Sequence, residues 1–322
     1  MLLRIVSTLF IALFVSIPGI GHAQISRMEV IPLQSMTLTD QEFLSGAKGG
    51  KSVTVAGELR IPRAGSDRIP LVILLHGSSG VAGFTTDWEQ ELNSMGVATF
   101  VLDSFSGRGL VNVVNDQGQL GRLAQIYDAY RALDLFEKHP RIDPARIVIM
   151  GSSRGGQAAL YSSVRRFQRM YGPASGREFA AYIALYPSCD TVYRNDEEVS
   201  TNPIRIFHGS ADDYVPVAQC RLYAERLKTK GSDVKHTEYA DAHHVFDWKS
   251  LKVPLKADKA QTLRHCELAE KEDGRIFNVK SMQPFTYSDP CVERGVTIAY
   301  NEKASTEARL AIKEFIATTI KP

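Results

Sequence analysis

Short, almost uninterrupted apolar runs recur through the first two thirds of the chain. Five of them have the length of a strand and are too short for a typical helix. They lie at residues 70–75, 96–102, 146–150, 182–186 and 204–207. A strand that is apolar throughout is buried on both faces, as in a parallel sheet covered by helices. The runs therefore predict the buried core of such a sheet.

Segments with other periodicities separate and follow these runs. Residues 53–61 alternate like a half-buried strand, and residues 234–239 also have strand character. Helical spacing is found at residues 120–139, 157–164, 217–227 and 305–320. The alternation of strands and helices predicts an α/β fold with a doubly wound, mostly parallel sheet flanked by helices. Such sheets carry their chemistry at the carboxyl ends of the strands.

The N-terminus has the pattern of an export signal. A basic start is followed by a 13-residue apolar run at residues 5–17, then by Pro18-Gly19 and the small residues Gly21 and Ala23. The run is shorter than the roughly 20 residues needed to span a bilayer. We therefore predict a signal peptide at residues 1–23, a single domain at 24–322 and a periplasmic or secreted location. An uncleaved membrane anchor is the alternative.

Charge and cysteine content narrow the function classes. The formal net charge is only +2 and no block of basic residues is present, so we expect no nucleic-acid partner. The four cysteines have no CxxC spacing, which disfavours a zinc site or a redox motif. After export they are expected to form two disulfides, and sequence alone leaves three pairings open. Four buried free thiols are the alternative.

A G-x-S-x-G motif follows the run at residues 146–150. It places Ser153 between Gly151 and Gly155, with an apolar strand before it and a helical pattern after it. A serine hydroxyl is a poor nucleophile, and a tight strand-to-helix turn displays it beside a base. We predict Ser153 as a nucleophile. A glycine-rich phosphate-binding turn is the alternative, but no acidic residue follows at the distance that a dinucleotide-binding fingerprint needs.

An acid and a histidine follow in the order expected for such a nucleophile. The run at residues 204–207 leads to Asp212 and Asp213, and either could instead be a turn or helix-cap residue. Beyond residues 234–239 lie His243 and His244, either of which could serve as the base. The two histidines could also form a metal pair. Neighbouring side chains on an extended segment point apart, however, and no third ligand is apparent.

The negative oxygen that forms during acyl transfer needs backbone N–H donors. We expect one from Arg154, the residue after the nucleophile, and one from Ser78 in the loop at residues 76–80. His76 is expected to brace that loop. The side chains of Arg108 and Arg154 are expected to be exposed, and solvated or salt-bridged rather than bound to substrate.

Together these motifs resemble the dienelactone hydrolase-like family of the α/β-hydrolase superfamily, from about residue 53 to the C-terminus. They are the H-G-S-S-G loop at 76–80, the G-x-S-x-G-G turn at 151–156, H-G-x-x-D-x-x-V-P at 208–216 and A-H-H-x-F at 242–246. The resemblance implies Asp212, three residues before Val215, as the acid and His244 as the base. The family's namesake enzymes have cysteine where this chain has Ser153, which argues against dienelactone itself as the substrate.

The resemblance also suggests how the cysteines pair. Cys189 and Cys220 follow two strands expected to be adjacent, so we predict a bond between them. Cys266 and Cys291 bracket a stretch of an insertion at about residues 251–292, which the simplest relatives lack. Its cysteine-bounded part shows little apolar periodicity and is expected to bury little surface. A Cys266–Cys291 bond would order it.

These observations predict an exported serine hydrolase that cleaves a small-molecule carboxylic ester through a Ser153 acyl-enzyme. No metal or organic cofactor is expected. An exported peptidase or amidase of the prolyl-oligopeptidase-like type is the alternative within the enzymes. A catalytically silent binding protein with the same fold is the alternative outside them. The sequence leaves the oligomeric state open.

Overall fold

A computed structural model describes residues 26–47 and 49–321. The predicted signal peptide lies outside these residues. The strands are β1 (Arg27–Thr37), β2 (Lys51–Ile61), β3 (Ile69–Leu75), β4 (Ala98–Asp103), β5 (Ile142–Ser152), β6 (Ala181–Leu185), β7 (Thr191–Val192), β8 (Ile204–Gly209), β9 (Val234–Tyr239), β10 (Leu255–Thr262), β11 (Leu268–Glu270), β12 (Ile276–Asn278) and β13 (Glu293–Ile298). The helices are α1 (Asp40–Ser45), α2 (Gly83–Ser94), α3 (Ala124–Phe136), α4 (Arg154–Tyr161), α5 (Arg165–Tyr171), α6 (Val217–Thr229) and α7 (Glu302–Ile320).

The main sheet has the strand order β1-β2-β4-β3-β5-β6-β8-β9. From β4 to β9 neighbouring strands are parallel, whereas β1 and β2 form an antiparallel edge. The predicted α/β fold with a mostly parallel sheet is confirmed. The parallel order brings the carboxyl ends of β3, β5, β8 and β9 to the same edge of the sheet.

Side chains alternate between two apolar cores, one on each face of the sheet. In β3 every residue is buried. Leu71 and Ile73 join the core that also contains residues of α3 and α4, while Val72 and Leu74 join the core with residues of α2 and α7. This two-sided burial is the reason that the central strands are apolar throughout.

The insertion after β9 is more ordered than its sequence suggests. Strand β10 pairs with β13, and β11 pairs with both β12 and β7. Leu268 and Ile276 are buried in the larger core, so the expectation that this segment buries little surface is wrong. Three-residue strands are too short to show a periodicity, and β11 is held by a partner, β7, from outside the insertion.

Both disulfides are present, with the pairs Cys189–Cys220 and Cys266–Cys291. Cys189 follows β6 and Cys220 lies in α6, which follows β8, the neighbour of β6 in the sheet. The first bond therefore ties the loop after β6 to α6, and Asp212 lies between its two cysteines in the sequence. The second bond closes the part of the insertion that contains β11 and β12. In the described part of the chain, no helix is long and apolar enough to cross a membrane.

Candidate active site

Ser153 occupies the sharp turn between β5 and α4. Its backbone has φ 55° and ψ −120°, a conformation that non-glycine residues rarely adopt. The neighbouring glycines allow this turn to pack closely. A Cβ atom on Gly151 would lie 2.2 Å from the carbonyl oxygen of Gly155, and one on Gly155 would lie 2.3 Å from that of Leu75. The turn thus holds Ser153 above the sheet.

A hydrogen-bonded chain joins Ser153 to a histidine and a carboxylate from two other loops. His244 Nε2 lies 2.9 Å from Ser153 Oγ, and His244 Nδ1 lies 2.7 Å from Asp212 Oδ2. The other carboxylate oxygen, Asp212 Oδ1, accepts hydrogen bonds from the backbone N–H groups of Tyr214 and Val215 at 3.0 and 2.8 Å. The structure therefore brings together the three side chains singled out from the sequence.

The surroundings of Asp212 favour its ionised form. Burial alone raises its pKa, but the attraction of His244, hydrogen bonds from His244 and His208, and the attraction of His208 outweigh burial and hold the pKa well below its ordinary value. His208 Nε2 lies 3.4 Å from Asp212 Oδ2. An ionised Asp212 accepts a hydrogen bond from the Nδ1–H of His244, which leaves Nε2 unprotonated and facing Ser153 as a proton acceptor.

Two tyrosines, which sequence reasoning missed, enclose the imidazole of His244. The ring centroids of Tyr186 and Tyr214 lie 4.7 and 4.8 Å from that of His244. Tyr186 Oη donates a hydrogen bond to Asp247 at 2.7 Å, and Trp88 Nε1 donates to the same carboxylate at 2.7 Å. Aromatic residues carry no signal of this role in a single sequence, because most of them simply fill the core.

Asp213 and His243, the alternative candidates for the acid and the base, have other surroundings. Asp213 Oδ1 accepts a hydrogen bond from the backbone N–H of Thr297 at 2.8 Å, which attaches the loop after β8 to β13. His243 Nδ1 is buried with no hydrogen-bond partner among the described residues. Residues 26–47 and 49–321 contain no group of three or more histidines, cysteines or carboxylates suited to hold a metal.

Ser78 and Arg154, the two residues predicted to supply the oxyanion donors, line the same pocket as Ser153. A Cβ atom on Gly77, the residue before Ser78, would lie 3.3 Å from Ser153 Cβ, so this loop runs directly beside Ser153. Arg154 is the first residue of α4, where a backbone N–H has no partner within the helix.

His76 is fully buried and braces the loop that contains Ser78. Its Nδ1 lies 2.8 Å from the carbonyl oxygen of Gly77, and its Nε2 accepts a hydrogen bond from the backbone N–H of Ser104 at 3.1 Å. Burial lowers the pKa of His76, which favours the neutral ring that this pair of contacts requires.

The expectation that Arg108 and Arg154 are exposed is wrong. The Arg108 side chain is 3% exposed and forms a bidentate ion pair with Asp128. Its Nη1 and Nη2 donate to the two carboxylate oxygens at 2.8 and 2.9 Å. Arg154 is buried, and its guanidinium donates to the carbonyl oxygens of Leu120, Gly121 and Gln117. Nothing in a single sequence shows that the loop containing residues 117–121 covers this side chain.

The space at the pocket beside Ser153, including the part that is open to solvent, is about 530 Å³. Most of the residues that line it have polar side chains, and several belong to the insertion. The lining residues are Ser78, Gln117, Arg122, Ser153, Arg154, Gln157, Ser188, Asp190, Tyr214, Val215, Pro216, Gln219, Gln261, Thr262, Leu263 and Tyr287. Arg122 is neutralised there by Asp190, to which it donates two hydrogen bonds at 2.7 and 2.8 Å.

Comparison with known proteins decides the family. The sequence model described as "Dienelactone hydrolase family" matches residues 55–320. The chain belongs to the dienelactone hydrolase family. This is a family of hydrolases within the α/β-hydrolase superfamily, and the resemblance inferred from the motifs is confirmed.

Solved structures agree at the level of the fold. A dienelactone hydrolase-like promiscuous phosphotriesterase from metagenomic libraries has a TM-score of 0.57 and 14% sequence identity, over 91% of this chain and 98% of the other. The protein named m3DLH has a TM-score of 0.58 and 17% identity, over 91% and 99%.

Among curated proteins, an acyl-protein thioesterase 1 of Gibberella zeae is 26% identical over 130 residues. The match covers 40% of this chain and about half, 52%, of that relative.

Proposed function

We propose that this dienelactone hydrolase family member is an exported serine hydrolase that cleaves a small carboxylic ester through an acyl-enzyme on Ser153. The observation that carries the proposal is the Asp212–His244–Ser153 chain, with contacts of 2.7 and 2.9 Å, whose serine lines a pocket. A nucleophile beside a base that a third group orients is the arrangement that acyl transfer requires.

The reaction follows from these contacts. His244 Nε2 takes the proton of Ser153 Oγ as that oxygen forms a bond to the ester carbonyl carbon. The negative carbonyl oxygen is stabilised by the backbone N–H groups of Ser78 and Arg154. His244 then gives the proton to the leaving alcohol as the carbon–oxygen bond breaks. A water molecule, deprotonated by His244, releases the acid and restores Ser153.

The shape of the pocket supports a small substrate with polar groups. Most of the lining residues have polar side chains, and Tyr287 and residues 261–263 of the insertion line the same pocket as Ser153. We therefore expect acetyl and butyryl esters to be cleaved faster than long-chain acyl esters.

A panel of substrates tests the proposal. Purified protein is assayed with p-nitrophenyl esters of increasing acyl length, an acyl thioester and aminoacyl anilides, each against Ser153→Ala. The thioester is included because the curated relative is an acyl-protein thioesterase. We expect short esters to be the best substrates and Ser153→Ala to be inactive. Faster cleavage of the anilides would favour a peptidase, and no turnover of any substrate would favour a binding protein.

The two disulfides support the proposal of export, because such bonds persist in oxidising compartments. N-terminal sequencing of the protein recovered outside the cytoplasm tests it. We expect the mature chain to begin at Gln24. Intact protein that retains Met1 in the membrane fraction would instead favour an uncleaved anchor.

A further inference from the structure

The side chain of Gln117 joins three of the loops that surround the pocket. Its Oε1 accepts hydrogen bonds from Ser78 Oγ and from Arg154 Nη2, each at 2.9 Å. Its Nε2 donates to Tyr214 Oη at 3.1 Å. Gln117 thus connects the oxyanion loop, the residue after the nucleophile and the residue two positions after Asp212. Its own backbone N–H donates to Gln261 of the insertion at 2.8 Å.

These contacts fix the orientation of the Gln117 amide. A guanidinium can only donate hydrogen bonds, so the atom of Gln117 that faces Arg154 must be the oxygen. The amide nitrogen must then face Tyr214. An amide nitrogen can only donate, so the hydrogen bond between Gln117 and Tyr214 uses the phenolic oxygen as the acceptor.

The Tyr214 hydroxyl therefore does not donate its proton to Gln117 and can donate it to another acceptor. Within residues 26–47 and 49–321, Tyr214 Oη has no hydrogen-bond partner besides Gln117. Burial raises the pKa of Tyr214 to about 12, so the hydroxyl keeps its proton at neutral pH. Tyr214 lines the same pocket as Ser153, and its ring lies against that of His244. An oxygen of a molecule in the pocket, substrate or water, can accept this proton.

We infer that Tyr214 donates a hydrogen bond to an oxygen of the substrate's ester group, and that Gln117 is a positioning residue that directs this proton into the pocket. The inference rests on the proposed ester hydrolysis and adds a side-chain donor to the two backbone donors of Ser78 and Arg154. It also restricts the substrates to those with an oxygen acceptor within reach of Tyr214.

Tyr214→Phe tests the donor, because it removes the hydroxyl and keeps the ring against His244. We expect kcat/KM for the best short ester to fall roughly 10-fold to 100-fold, mainly through kcat, as for the loss of a hydrogen bond that strengthens in the transition state. The control is Tyr171→Phe, which removes a hydroxyl bonded to the Phe43 carbonyl outside the pocket and should leave kcat/KM unchanged. Thermal unfolding verifies that both variants are folded.

Gln117→Glu tests the positioning role. The glutamate can still accept from Ser78 and Arg154, but it cannot donate to Tyr214 and would accept the phenolic proton itself. We expect it to lower kcat/KM about as much as Tyr214→Phe does, and to add little when combined with Tyr214→Phe. If Gln117→Glu lowers kcat/KM by the same factor in the wild type and in Tyr214→Phe, Gln117 does not act through Tyr214.

The outcomes separate this inference from the proposed function. A wild-type protein that hydrolyses esters, together with Tyr214→Phe at undiminished kcat/KM, overturns the inference alone. A wild-type protein that hydrolyses no ester overturns the proposed function and the inference with it. Should Tyr214→Phe fail to fold, Gln117→Glu decides, since undiminished activity in that variant contradicts a proton directed by Gln117.

Discussion

In the proposed mechanism Ser153, His244 and Asp212 act as one unit, so their contributions to kcat should not be additive. Replacing Ser153 or His244 by alanine should each lower kcat by roughly 10³-fold or more, and the double variant should be little worse than either single one. Asp212→Asn should also be severe, because it disturbs the tautomer of His244. Steady-state kinetics on a short ester measures these effects.

Neighbouring residues of the same type provide the controls. Asp213→Asn and His243→Ala should have mild effects on kcat, because Asp213 bonds to Thr297 and the His243 side chain does not contact the triad through any described hydrogen bond. Loss of activity in His243→Ala together with retained activity in His244→Ala would contradict the assignment.

His236 should make the fold sensitive to acid. Burial, followed by repulsion from His208, lowers its pKa from 6.5 to about 4. The unfolded chain therefore binds a proton more readily than the folded one between these pH values. The stabilising contribution of neutral His236 is complete above pH 6.5 and is lost as the pH falls toward 4.

Urea denaturation of the wild type and of His236→Gln, compared between pH 7 and pH 4.5, tests this effect. The wild type should lose more stability over this interval than the variant does, by no more than about 3 kcal/mol. If the free energy of unfolding falls equally with pH in the two proteins, His236 is not responsible for the loss of stability in acid.

The turn between β5 and α4 depends on its glycines, which approach neighbouring backbone closely. Gly155→Ala should abolish activity and reduce stability, because its Cβ would meet the backbone of Leu75, which cannot move without shifting β3. Gly176→Ala is the matched control. Gly176 has φ 74° and no atom within 4 Å of where a Cβ would lie. The substitution should therefore lower the free energy of unfolding by only about 1 kcal/mol, through backbone strain. Activity assays and thermal unfolding distinguish the two variants.

The insertion should affect both stability and specificity. Replacing Cys266 and Cys291 by serine should destabilise the protein by about 3 kcal/mol, the amount expected for a loop closed over 25 residues. Gln261, Thr262, Leu263 and Tyr287 line the pocket, so the ratio of kcat/KM between butyryl and acetyl esters should also change. A loss of stability with an unchanged ratio would show that the pocket wall does not depend on this bond.

Burial decides which strands and helices can be predicted from the sequence. The strands β3 to β6 and β8 were evident from their apolar composition because both of their faces are covered. β1 was missed because it lies at the edge of the sheet, contains Pro32 and keeps much of one face exposed. Helix α2 was missed because Glu89 and Asn93 are buried among its apolar residues.

For the molecule as a whole, motifs in chain order located the residues that the fold brings together. Ser153, Asp212 and His244 each follow a strand of the parallel region, and parallel strands place their carboxyl ends at one edge. The supporting residues Gln117, Tyr186 and Tyr214 could not be found in this way. Their roles depend on long-range contacts, such as that of Gln117 with Tyr214 across 97 positions, which leave no local pattern.

The central claim is that Ser153 forms a covalent acyl-enzyme, and mass spectrometry with a fluorophosphonate probe tests it most directly. The intact wild-type protein should gain the mass of one phosphonyl group, peptide mapping should place that group on Ser153, and Ser153→Ala should remain unlabelled. Labelling of His244→Ala should be much slower than that of the wild type. An unlabelled wild-type protein, or a label on any residue other than Ser153, would contradict the account.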